Sequence, residues 1–73
     1  MDKQEQRELI GEIKKAYARG DFDRVLEYAG EFNLRKLGDS RTLEMVADAL
    51  AANGQLVVAR DVLLMAYEKS PMG

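Results

Sequence analysis

Apolar residues return along this chain with a helical rhythm, broken at three short polar stretches. Ile10, Ile13 and Tyr17 fall at i, i+3 and i+7, with Leu9, Ala16 and Gly20 beside them, and they predict a helix over about 3–19. Glu5 and Glu8 in its first turns suit the positive end of the helix dipole. Gly11 lies inside this helix, at a cost of about 1 kcal/mol relative to alanine. It marks either an open spot or the close approach of a neighbouring helix. Gly20 and Asp21 form the first break, with the glycine ending one helix and the aspartate capping the next. Phe22, Val25, Leu26, Ala29 and Phe32 make the stripe of a second helix. It ends near Asn33, or continues to Leu37 if Arg35 and Lys36 form its last turn.

Gly38-Asp39-Ser40 is the second break. A third helix follows over about 41–53, capped by Asp39 or Ser40, with Leu43, Val46, Ala47 and Leu50 as its core face. Asn53-Gly54 is a strong turn dipeptide. The fourth helix spans about 55–69 and stops at Ser70-Pro71, because proline disfavours helix at the residue before it. Its pattern differs from the others. Leu56, Ala59, Leu63 and Ala66 make one apolar face, Val58, Val62 and Met65 a second, and Val57 and Leu64 a third. A helix apolar nearly all round expects burial nearly all round.

The breaks also repeat. Aligned on glycine, Gly20 pairs with Gly54, 34 residues on, Phe22 with Leu56, and Val25 with Ala59. A period of this length implies stacked helical hairpins: repeat one at about 6–39 and repeat two at about 40–73, in a single domain over 1–73.

The second repeat resembles the tetratricopeptide repeat (TPR) family. Leu43, Val46, Ala47, Leu50, Gly54, Leu56, Ala59, Leu63, Ala66 and Pro71 carry the likeness. The first repeat is similar but divergent. Leu9, Tyr17, Gly20, Phe22 and Val25 fit. Ile13 stands where a small residue is usual, Ala29 where a large one is usual and Phe32 where alanine is usual, and Leu37 replaces the closing proline. The resemblance implies an all-α fold of two stacked antiparallel hairpins in a right-handed superhelical array. It also implies a non-catalytic protein–protein interaction module that binds a peptide or helix of a partner. Its concave surface would show Arg7, Ile10, Lys14 and Tyr17 from the first helix, and Arg41, Glu44, Met45, Asp48 and Ala51 from the third. The plainer reading of these residues puts Ile10 and Met45 partly in the core and leaves the charges merely solvated. Members that clamp chaperone carboxylates use a lysine and asparagines where Ile10, Lys14 and Met45 stand here, so that specificity is not implied.

Composition narrows the chemistry. The 73 residues include no histidine and no cysteine, which removes the commonest general base, the commonest metal ligand and any disulfide. Ser40, Thr42 and Ser70 have no histidine to activate them, and Asp21-x-Asp23 lacks the rest of a calcium loop. No phosphate loop, zinc helix or nucleophile elbow occurs. No enzyme, metal or cofactor is expected. Eleven basic and thirteen acidic residues are interspersed for a net charge of −2, a poor match to nucleic acid. The run from Leu56 to Tyr67 is too short to span a bilayer, and the start MDKQEQRE is the opposite of a signal peptide. A cytoplasmic setting is the expectation.

A domain this short buries only about 60% of its unfolded surface. Oligomerisation or continuation into a longer array would offset that. Val57, Val58, Val62, Leu64 and Met65 therefore form a second candidate surface, for a homodimer, or for the next hairpin of a longer array of which this chain would be the N-terminal piece.

Overall fold

A computed structural model describes residues 3–31, 37 and 39–69. These residues form four α-helices and no strand: α1 (Lys3–Ala18), α2 (Phe22–Ala29), α3 (Ser40–Ala52) and α4 (Leu56–Lys69). The expected positions of Phe32, Asn33, Arg35, Lys36, Gly38, Ser70 and Pro71 lie outside the described residues.

The two glycine turns share one geometry. After α1, Gly20 N–H donates to the Tyr17 carbonyl at 3.0 Å and Asp21 N–H to the Ala16 carbonyl at 2.9 Å. After α3, Gly54 N–H donates to the Ala51 carbonyl at 3.0 Å and Gln55 N–H to the Leu50 carbonyl at 2.9 Å. This pair of bonds is the Schellman ending. It needs a residue in the left-handed region at the position both glycines hold, with φ of 75° at Gly20 and 82° at Gly54. The sequence echo is thus an echo of backbone hydrogen bonding.

Side-chain caps restart two of the helices. Asp21 accepts from Arg24 N–H at 3.3 Å at the head of α2. Asp39, rather than Ser40, caps α3. Its Oδ1 accepts from the N–H groups of Arg41 and Thr42, and its Oδ2 accepts from the Thr42 hydroxyl at 2.9 Å. That last bond lets Thr42 sit fully buried with its hydroxyl satisfied. The second helix is shorter than its pattern predicts. It stops at Ala29, where Gly30 closes the last turn on the Leu26 carbonyl.

α1 packs on α2, and both meet α3; α4 packs on α3 and makes no comparable contact with α1 or α2. One core runs through the molecule, from Ile13 and Ala16 of α1 and Val25 and Ala29 of α2, through Leu43, Val46, Ala47, Ala49 and Leu50 of α3, to Ala59, Val62 and Ala66 of α4. Leu37, between α2 and α3, is also buried in it. The radius of gyration, 11.3 Å, is close to the roughly 11 Å expected of a packed domain this long.

The buried face of α4 is rotated from its predicted position. Val62, assigned above to a self-association face, is only 2% exposed and belongs to the core, while Leu56, placed above on one apolar face with Ala59 and Ala66, is 67% exposed. Ala59 and Ala66 let α4 lie close to α3, and the residue between them on that face is Val62. Leu56, at the first position of α4, falls away from α3. Met65 is only partly buried and packs against the core, so it too sits at the margin rather than on an open face.

Candidate functional site

α1 and α3 lie side by side and present a shallow cleft lined by Tyr17, Arg41, Glu44, Met45 and Asp48. Helical spacing explains the set. Arg41, Glu44, Met45 and Asp48 follow at i, i+3, i+4 and i+7, one stripe of α3. Tyr17, in the last turn of α1, closes the other wall.

The walls are joined by a hydrogen bond. The Tyr17 hydroxyl donates to Oδ2 of Asp48 at 2.5 Å. The acceptor is a carboxylate, so the bond is charge-assisted and short. It holds the phenol pKa above its ordinary value of 10.0, first because the neutral hydroxyl is the donor and second because the Asp48 charge opposes a phenolate. The Tyr17 ring also meets Phe22 edge to face, at 6.0 Å between centroids and 67° between planes. The ring is thereby fixed at both ends, by Asp48 at the hydroxyl and by Phe22 at its side.

Five of the nine predicted groove residues meet at this cleft. Met45 is among them, but it lines the floor as a core residue, 8% exposed, and is not an open anchor. Arg7, Ile10 and Lys14 do not line it. Arg7 is exposed and Ile10 is half-buried against the core. Lys14 points instead at the α3 cap, with Nζ 4.0 Å from Oδ2 of Asp39. Ala51 is exposed, one turn beyond Asp48. The Tyr17–Asp48 bond was not foreseen, although both residues were named. The 34-residue register pairs Asp48 with Lys14, so the repeat pattern alone gives no reason for Tyr17, three residues later, to reach it.

A second depression lies against the α1–α2 turn, lined by Glu12, Lys15, Ala16, Arg19, Asp21, Arg24 and Tyr28. Its charges largely answer one another, with Lys15 3.8 Å from Glu12 and Arg24 3.9 Å from Asp21. Among the described residues no group of three or more His, Cys, Asp or Glu side chains is placed to hold a metal ion, and no buried side-chain nitrogen or oxygen lacks a hydrogen bond. No helix among them is long and apolar enough to cross a membrane. Comparison with protein-family models, with curated proteins and with solved structures gave no match.

Proposed function

We propose that this chain is a non-catalytic interaction module of the tetratricopeptide type that binds a peptide or helix of a protein partner across the α1–α3 cleft. The observation that carries the reading is the convergence of Tyr17, Arg41, Glu44 and Asp48, from two helices, around one concavity. The matching turns at Gly20 and Gly54 support the likeness of the two hairpins.

The mechanism is contact on a preorganised surface. Tyr17 is fixed by Asp48 and Phe22 before any partner arrives, so little side-chain freedom is lost on docking. Its ring offers apolar contact above a floor closed by the buried Met45. Arg41 at one end and Glu44 with Asp48 towards the other give the cleft opposite charges along its length, which sets the direction of a bound segment.

Selection from a displayed library of random peptides tests this. Selected peptides should lose at least about tenfold in affinity on Tyr17→Ala and on Glu44→Arg, as expected when a central anchor or a steering charge is removed. Arg24→Ala, on the opposite depression, should leave affinity unchanged. Peptides that bind all three variants like the parent would overturn the assignment of the cleft.

A further inference from the structure

The outward side of α4 carries large apolar side chains that stay exposed among the described residues. Leu56 is 67% exposed, Val57 70%, Leu64 51% and Tyr67 54%. With about 100° between successive residues, Ala59, Val62 and Ala66 centre the buried face of α4. On the outward side runs a line straddled by four neighbouring pairs: Leu56 and Val57, Arg60 and Asp61, Leu63 and Leu64, Tyr67 and Glu68, with Leu63 at its inner edge, partly buried and packed against the core. Their spacing of four, three and four residues is the rhythm of a helix–helix seam.

We propose that this line is the seam of a parallel, two-fold pairing of α4 with α4 of a second copy of the chain. The argument is self-complementarity. A two-fold axis parallel to the helices brings the residue on one side of the seam against the residue on the other side in the second copy. Leu56 then meets Val57, Leu63 meets Leu64, and the Tyr67 hydroxyl reaches Glu68. Arg60 meets Asp61, an opposite charge, and each contact occurs twice. Within the chain neither Arg60 nor Asp61 forms an ion pair with another described residue. An antiparallel pairing along the whole helix instead sets Arg60 toward Leu63 and Asp61 toward Leu64, so both charges face apolar side chains. The parallel dipoles oppose the chosen arrangement only by a small, salt-screened amount.

The size of the patch sets the strength. Half-exposed leucine, valine and tyrosine side chains offer on the order of 100 Å² each, several hundred Å² per copy in all. A standard stable interface buries about 800 Å² on each partner. The pairing is therefore a concentration-dependent dimer, and it leaves the Tyr17–Asp48 cleft of each copy untouched.

Sedimentation of the full chain, from about 1 µM to about 1 mM, tests it over the range a weak dimer occupies. A shift from monomer to dimer is expected. Arg60→Asp and Asp61→Arg each set like charges across the seam and should weaken association at least about tenfold. An equimolar mixture of the two variants restores opposite charges and should regain the dimer. Both positions are exposed, so helicity by circular dichroism should match the parent. An equimolar mixture of Leu56→Cys and Val57→Cys chains, with no other cysteine in either, should oxidise to a mixed linked dimer only if the helices run parallel. A monomer throughout, whether the face is idle or serves an unlike partner, overturns the proposal. So does a dimer indifferent to both charge variants, a charge-variant mixture that fails to regain association, or a Leu56→Cys and Val57→Cys mixture that does not cross-link.

Discussion

The hydroxyl of Tyr17 and the carboxylate of Asp48 bind one another across 31 residues of sequence, and this bond fixes the geometry of the α1–α3 cleft. It is also a pH-dependent link. The folded phenol ionises above its ordinary value of 10.0 because it donates to Asp48. Its contribution to stability is therefore fully present below that value and is lost as pH rises through the raised one. In a chain carrying Tyr28→Phe and Tyr67→Phe, absorbance at alkaline pH reads Tyr17 alone. The titration should lie above that of free tyrosine, and Asp48→Asn should lower it. A midpoint unchanged by Asp48→Asn would deny the bond.

Three glycines predict two opposite outcomes from the same substitution. At Gly20 and Gly54 an added Cβ meets no atom within 4 Å, but φ is positive at both, so alanine is strained by about 1 kcal/mol or more. At Gly11, within α1, a Cβ also meets nothing within 4 Å and the backbone is helical, so alanine should stabilise by about 1 kcal/mol. Urea unfolding of Gly11→Ala and Gly54→Ala should move in opposite directions. Loss of stability at Gly11→Ala would mean that this surface is crowded after all.

Asp39 is the most heavily used cap. It serves the first turn of α3, satisfies the buried Thr42 hydroxyl and faces Lys14 across to α1. Asp39→Ala should cost about 1–3 kcal/mol, the sum of a lost cap and a buried hydroxyl left without its partner. Asp39→Ala combined with Thr42→Val should recover part of that loss. The exposed ion pair with Lys14 adds little, so Lys14→Ala should change stability by less than about 1 kcal/mol. Chemical denaturation of the three variants checks the ordering.

α4 separates what its pattern reveals from what only packing decides. Val62→Ala removes a core side chain and should destabilise by about 1–3 kcal/mol. Leu56→Ala, on an exposed side chain, should change stability by less than about 0.5 kcal/mol. Equal losses would return the helix to the orientation its sequence predicts.

That contrast shows what was legible in the chain and why. The four helices and their breaks could be read because glycine and aspartate act locally. Gly20, Asp21, Asp39 and Gly54 do in the fold what their chemistry predicts in a peptide. The rotation of α4 could not be read, because a helix apolar on three sides has no face that periodicity can single out, and the choice falls to the close approach that Ala59 and Ala66 allow. Burial of Leu37 was hidden for a related reason: it lies beyond the end of α2, where helical spacing assigns no face. At the cleft, the α3 stripe came from the family resemblance, and helical spacing accounts for why its residues share one face. Tyr17 reaching Asp48 rather than following the repeat register depends on how α1 and α3 pack, which the repeat pattern does not encode.

Amide chemical-shift mapping with a library-selected peptide tests the central claim, that the cleft is the partner-binding surface, most directly. The account predicts shifts concentrated at Tyr17, Arg41, Glu44, Met45 and Asp48, and their disappearance in Tyr17→Ala. Shifts centred instead on the outward side of α4, or on Lys15, Arg19 and Arg24, would contradict it.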